Sequence, residues 1–490
     1  MRVRQRELSP STRRLPLGAG LLSFGAALIV AAGVAVAGGG PTRDAVLALG
    51  ALCVVAPPAW ILVRRRLGTH AFAVEAPVIL LLLSTLVWRI RDAESLATDP
   101  LDPAGSLRLA CVGLAALLGL FSLTDRARSD VRVLTLPFGL YCLYVYVVFA
   151  GAPLSVEPFL TGYRGVELVT GVFVIAGAFR TVGDAAGARI MSALYWWFVA
   201  IIASVWIGVV LFPGEALNQL ERSPLPWQIR GVVPAVSSNG VGTAAVIVGV
   251  WSFALLVSRG ERPAPRRAFL VASLPISVLT LVFAQYRTGY VAIVAGVLTV
   301  LLLRRRGMAA WVIMAGVLVA STWGAVLLER AQPVVLRGAS PEDAAKLSSR
   351  LQWWSDALPV WRESPLIGKG LLTATRFEVL AEIGRTKTST IHGTWVEALV
   401  GTGIIGIAFL AAATLTVARR AFAEASHRGG RLVPIVMVVT LLIRSLTGST
   451  FEVFGAPYLL MLVLGVWLPN RSLVEAGRRW ERPAFAVYEG

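Results

Sequence analysis

One imidazole and a few guanidinium groups are the side chains in this sequence best equipped for chemistry. Histidine occurs three times, at His70, His392 and His427. His392 stands in Ile391-His392-Gly393-Thr394-Trp395, where a polar stretch gives way to an apolar run. A neutral imidazole is a competent general base near pH 7. Arg287 occupies Gln285-Tyr286-Arg287-Thr288-Gly289-Tyr290, a turn of almost no length between two apolar runs. Arg230 precedes Ser237-Ser238-Asn239-Gly240, Arg444 lies near the end of one apolar run, and Arg164 opens another. A guanidinium group binds phosphate oxygens through a planar donor fork and stays charged, so these positions suit an anionic substrate. Each arginine also has a structural reading, namely snorkelling or pairing with Glu397 or Glu452.

The elements that must position these groups are apolar. Of 490 residues, 56% are hydrophobic and only 15% charged, and the mean hydropathy is +0.72. A soluble chain carries roughly 25% charge. This composition excludes a soluble enzyme, a disulfide-stapled secreted domain and a disordered chain, and predicts an all-α polytopic membrane protein. About fourteen runs are long enough to cross a bilayer, near 17–38, 45–63, 72–88, 105–124, 134–152, 164–179, 188–212, 238–258, 268–286, 288–303, 309–327, 394–417, 432–448 and 453–468. Cys53, Cys111 and Cys142 all fall in apolar runs and read as small buried residues. The basic N-terminus resembles a signal peptide, but its apolar run is long and more runs follow, so it reads as a retained anchor.

The net charge of +18 sorts the connections. With the N-terminus inside, about 28 of the 46 basic residues fall in short cytoplasmic loops, including Arg64-Arg65-Arg66 and Arg304-Arg305-Arg306. Both termini are then cytoplasmic, and His392 is the one histidine on the outer face. Two outer loops are sizeable, one near 212–237 and a larger one over 329–393. The larger holds Arg330, Arg337, Lys346, Arg350, Arg362, Lys369, Arg376, Arg385 and Lys387, against the usual bias for that side. Within it, Leu347, Leu351, Trp354, Leu358 and Trp361 recur at spacings of four, three, four and three, which predicts a helix with this face against the bundle or the outer leaflet.

With those residues in view, the sequence resembles the O-antigen ligase and polymerase superfamily of bacterial membrane glycosyltransferases. Tyr286-Arg287-Thr288-Gly289 before an apolar helix is similar to one family motif. Leu347-Ser348-Ser349-Arg350-Leu351 with Trp354, followed by Ser364-Pro365-Leu366-Ile367-Gly368-Lys369-Gly370, resembles the family's large loop. His392 with Gly403 and Gly406 resembles the ligase-type histidine and Gly-x-x-Gly pattern. The resemblance covers residues 235–410 of a single integral membrane domain spanning 1–490. One departure stands out: the family has Asn, Ser or Gln after the histidine, and here Gly393 follows it.

The resemblance implies a GT-C-like fold and a polyprenyl-diphosphate-linked glycan as donor. It also implies a glycan, lipid or other hydroxyl as acceptor, with membrane lipids as surroundings and no nucleic acid partner. It implies transfer without nucleotide sugar, cofactor or obligatory metal. On this reading Arg287, helped by Arg230 and Arg350, holds the diphosphate, and His392 takes the acceptor proton. Asn239, Arg444, Arg164 and Trp354 are further substrate-binding candidates. The Gly393 departure tilts the reading toward a polymerase or a divergent ligase. A lipid-linked oligosaccharide flippase is the alternative of a different class; it predicts charges at mid-depth and inverted repeats.

Overall fold

The computed structural model describes residues 71–86, 103–124, 129, 131–220, 225–232, 234–258, 265–310, 312–315, 350–382, 391–427 and 430–480. The expected spans at 17–38 and 45–63, and most of 309–327, lie outside these, as does Cys53. The described chain is an all-α bundle. A π-helical turn Ala71–Glu75 leads into α1 (Ala76–Ser84), then α2 (Pro103–Thr124), α3 (Leu136–Ala150), α4 (Pro158–Val182) and α5 (Asp184–Leu211). A small antiparallel hairpin follows, β1 (Leu217–Gln219) with β2 (Trp227–Ile229), pairing Leu217 with Ile229. Next come α6 (Ser238–Val257), α7 (Arg267–Ala284), α8 (Arg287–Arg304), α9 (Arg350–Glu363), α10 (Thr394–Ser426), α11 (Val433–Ser445) and α12 (Ala456–Trp480).

Seven of these helices (α2, α4, α5, α6, α7, α8 and α10) are long and apolar enough to cross a membrane. Their 18 to 33 residues correspond to roughly 27–50 Å at 1.5 Å per residue, against a hydrocarbon core of about 30 Å. Helices apolar all round sit inside the bundle. From Tyr458 to Leu464 every side chain of α12 is buried, and α6 is buried over most of its length. Helices α7 and α8 instead turn Val271, Ile276, Val278, Leu279, Val291 and Val294 outward. An apolar outer surface of this kind belongs against lipid rather than water. Cys111 and Cys142 are free thiols, each partly buried.

The large loop is fastened to the bundle by main chain. Lys369 and Gly370 donate to the carbonyls of Val400 and Gly401, each at 3.0 Å, and Ile404 and Ile405 donate to those of Pro365 and Leu366. These bonds form because α10 opens at Gly403, whose φ of 64° interrupts the helical hydrogen bonding. A Cβ there would lie 2.3 Å from the Leu366 carbonyl, so both the conformation and the approach require glycine. On the other side, the hydroxyls of Ser155, Thr161 and Thr373 form a closed triangle with edges of 2.6 to 2.9 Å. The loop is thereby tied to α4 as well as α10.

The face by which α9 docks corrects the expected stripe. Trp353, Ala357 and Val360 are buried against Ile391, Val379, Leu380 and Val400. Trp354 and Trp361 flank that cluster, while Leu351 and Leu358 are exposed at 47% and 39%. The spacing was helical as expected, but the docked face is turned about one residue along. The reason is Trp353, a larger apolar side chain than either leucine, which fills the space beside His392.

Candidate active site

Three non-glycine residues among those described have left-handed backbones: Gln285 (φ 50°), Leu372 (φ 64°) and His392 (φ 57°). Each such residue is strained by the order of 1 kcal/mol and persists where its surroundings hold it. Gln285 reverses the chain between α7 and α8, with its side chain donating to the carbonyls of Leu225 (2.9 Å) and Trp227 (3.2 Å) on the hairpin. That turn makes Arg287 the first residue of α8. Tyr286, just before it, packs against α6 so closely that a Cβ at Gly242 would lie 2.4 Å from its Cβ and 2.9 Å from its ring.

Around this turn, three helix N-termini converge: those of α6, α8 and α10. Ser237 caps α6 by accepting from the Gly240 N–H at 3.2 Å. In the second turn of α6, the Thr243 hydroxyl donates to the Asn239 carbonyl (2.8 Å) and accepts from Arg444 Nε (2.9 Å). Thr288 in α8 shares a hydrogen bond of 2.7 Å with Thr447, just beyond Arg444. Thr394, the first residue of α10, donates to the Gly448 carbonyl at 2.9 Å. Free N–H groups and the helix dipole make each N-terminus attractive to an anion. Arg287 is a cation placed at such a positive end, an arrangement that an anionic ligand relieves.

His392 lies within this cluster. Its ring centroid is 6.0 Å from that of Trp353, and Trp354 Nε1 donates to the Ile391 carbonyl at 3.3 Å. Burial first, then the Arg350 and Arg444 guanidinium groups, push its pKa down to about 4. The imidazole is therefore neutral, as a base must be. Burial, with the Arg287 guanidinium acting in the same direction and Tyr286 opposing, lowers Arg350 below its ordinary value. Arg287, Arg350 and Arg444 are all half-buried. Together these interactions join four of the sequence-derived candidates, His392, Arg287, Arg350 and Arg444, with Trp354 beside them.

The remaining candidates stand differently. Asn239 is exposed at the N-terminal turn of α6, linked to the cluster through Thr243 and Arg444. Arg230 is exposed beyond β2, and its Nε donates to the Glu215 carbonyl at 2.6 Å; no interaction among the described residues joins it to His392. Arg164 pairs with Glu167 at 2.9 Å, and Glu167 also takes Arg108. Its partner is thus a neighbour on its own helix, not the Glu397 or Glu452 that the sequence offered, because a buried Glu167 three residues away outcompetes more distant acids. The cationic loop also contracts. Lys369 is raised by its hydrogen bond to Glu363 and also pairs with Glu378, so its charge is satisfied. Arg330, Arg337, Lys346, Arg385 and Lys387 lie outside the described residues.

Sequence reasoning missed Trp353, Thr243 and the roles of Glu397 and Glu452. The signal for Trp353 was its adjacency to Trp354. Thr243 carried none, since a threonine on an apolar helix commonly bonds back to its own backbone. Gly393 also finds its explanation here. A Cβ at that position would lie 3.1 to 3.2 Å from the Trp354 indole, so any larger residue there presses on this ring, which must give by a few tenths of an ångström.

The fold and the site together define a polytopic membrane protein with a cationic, imidazole-bearing site where helix N-termini meet. Residues 269–411 match the family model described as O-antigen ligase, which supports placing this chain in the O-antigen ligase/polymerase superfamily of membrane glycosyltransferases. The matched segment contains Arg287, Arg350 and His392, whereas Arg444 and Glu452 lie beyond it. No curated protein matches the chain.

Proposed function

We propose that this protein transfers a glycan from a polyprenyl-diphosphate carrier to an acceptor hydroxyl at the extracytoplasmic face of the cell membrane. The observation that carries this reading is the joining of Arg287, Arg350 and Arg444 to a neutral His392 at three converging helix N-termini. The acceptor oxygen attacks the anomeric carbon and the bond from that carbon to the diphosphate oxygen breaks. The electron pair leaves with the diphosphate, and the hydroxyl proton passes to the imidazole of His392. Negative charge grows on the departing diphosphate as the bond breaks. Preplaced guanidinium groups therefore stabilise the transition state more than the ground state.

The two arginines that add to burial in lowering the His392 pKa of the free protein also couple it to the donor. When a diphosphate occupies them, their positive field at the imidazole is offset, and the ring's proton affinity rises at the moment a base is needed. The test uses the purified protein in proteoliposomes with one lipid-linked oligosaccharide. A ladder of longer products indicates polymerisation, and product formed only with an added acceptor indicates ligation. Full transfer by the His392→Ala and Arg287→Ala variants would overturn the assignment of both residues.

A further inference from the structure

Two glutamates lie behind this site with no solvent exposure, and the mechanism above uses neither. Glu397 projects from the first turn of α10, four residues after Gly393. Its Oε1 accepts from the Thr375 hydroxyl, and the backbone groups of Leu372 and Ile391 also hydrogen-bond to this carboxyl. Leu372 and His392 are two of the three strained left-handed residues, and Ile391 immediately precedes His392. One carboxyl thus holds the chain at Leu372 and directly before His392, two of the three places where it takes a left-handed backbone. Its other oxygen, Oε2, is buried with no hydrogen-bond partner among the described residues.

Glu452 is the companion acid. Its Oε2 accepts from the Thr450 N–H at 2.8 Å, its Oε1 is likewise buried without a partner among the described residues, and it interacts electrostatically with Arg444 and Glu397. Tyr144 on α3 also faces the pair, and Tyr141 on α3 and Tyr458 on α12 stand next to it. Their hydroxyls are engaged elsewhere: Tyr144 donates to the Glu452 carbonyl, Tyr458 to the Leu168 carbonyl, and Tyr141 is shared with Thr414. Arg444 acts on Glu452 only through its field, its own hydrogen bonds going to Thr243, Ser449 and Thr450. No cation among the described residues pairs with Glu397, and its bonds go to Leu372, Thr375 and Ile391, the last directly before His392.

We propose that Glu397 is the positioning residue for His392, gripping the chain on both sides of the loop so that the imidazole stays between Arg350 and Arg444. This deepens the glycosyl-transfer reading and rests on it only for the kinetic part of the test. The required chemistry is hydrogen-bond acceptance at Oε1, which a glutamine side-chain oxygen reproduces. Oε2 accepts nothing among the described residues, so an amide NH2 in its place forfeits no bond there.

The test compares Glu397→Gln with Glu397→Ala in the full-length protein, in a background where His70 and His427 are replaced by Gln. Carbethoxylation of the remaining histidine, followed against pH, reports its protonation without any turnover. In the parent and in Glu397→Gln the half-point falls near pH 4. In Glu397→Ala it rises toward the ordinary value of about 6.5, because the released ring moves away from the arginines and into water. Glycan transfer then falls about 100-fold in kcat, with KM for the lipid-linked donor changed less than about threefold, and Glu397→Gln rescues it. A Glu397→Ala protein that keeps the half-point near pH 4 overturns the proposal, as does a stably folded Glu397→Gln protein that behaves like the alanine variant. If both carbethoxylation curves come out as expected while the parent transfers no glycan, the positioning role stands and the proposed function falls.

Discussion

Replacing Arg350 by glutamine should move the acidic limb of activity upward, and the structure bounds how far. In the folded protein the His392 pKa lies near 4, against an ordinary value of 6.5. That difference corresponds to about 3 kcal/mol favouring the neutral ring. Burial contributes the most, Arg350 the next most and Arg444 the least. Arg350 ranks below burial among these causes, which puts its share at about one pH unit. The limb of kcat/KM, which reports the free protein, is expected near pH 4 in the parent and no higher than about pH 5 in Arg350→Gln. The limb of kcat, which reports the donor-bound protein, is expected above that of kcat/KM in the parent, because the bound diphosphate offsets both arginines. Initial rates of glycan transfer in proteoliposomes across pH 3.5 to 8, with controls for vesicle integrity, supply both profiles. A parent limb of kcat/KM near pH 6.5 would refute the reasoning, as would an Arg350→Gln limb that stays put or falls.

Arg287→Ala is expected to lower kcat by about 100- to 1000-fold, the usual cost of losing one preorganised donor to a developing charge. Arg287→Lys should recover only part of this in the same assay, since an ammonium lacks the planar fork. Gly393→Asn should cost about 1–3 kcal/mol, read as a lower melting temperature in detergent, because the Trp354 indole must yield to the new side chain. The double variant Gly393→Asn/Trp354→Ala should recover some of that loss. Arg164→Gln should lower the melting temperature and leave the donor KM unchanged, since its guanidinium is committed to Glu167.

The helices were legible because their apolar runs are long. The starts of α6, α8 and α10 fall within a residue of the expected 238, 288 and 394. His392, Arg287 and Arg350 were legible because titratable and cationic side chains are scarce in such a chain and each sits at the edge of an apolar run. What could not be read was register and orientation. The spacing of four and three announced α9, but which of its faces docks depended on Trp353 finding room beside His392. Arg164 and Arg444 looked alike in sequence, one at each end of a span. Only the packing shows that Arg164 meets a buried Glu167 while Arg444 reaches across to Thr243. Glu397 read as a possible partner for an arginine, because its actual partners, Leu372, Thr375 and Ile391, are main-chain and hydroxyl groups with no charge to announce them. The Gly403 and Gly406 pattern was visible, but its physical use, opening α10 so that the loop at Pro365–Gly370 can dock, required the backbone.

A structure of the protein with its lipid-linked donor, determined by electron cryo-microscopy in nanodiscs, tests the central claim most directly. The account predicts both phosphorus atoms among the guanidinium groups of Arg287, Arg350 and Arg444, with the anomeric carbon of the glycan turned toward His392. A diphosphate seated elsewhere in the bundle, with His392 out of reach of the sugar, would contradict it.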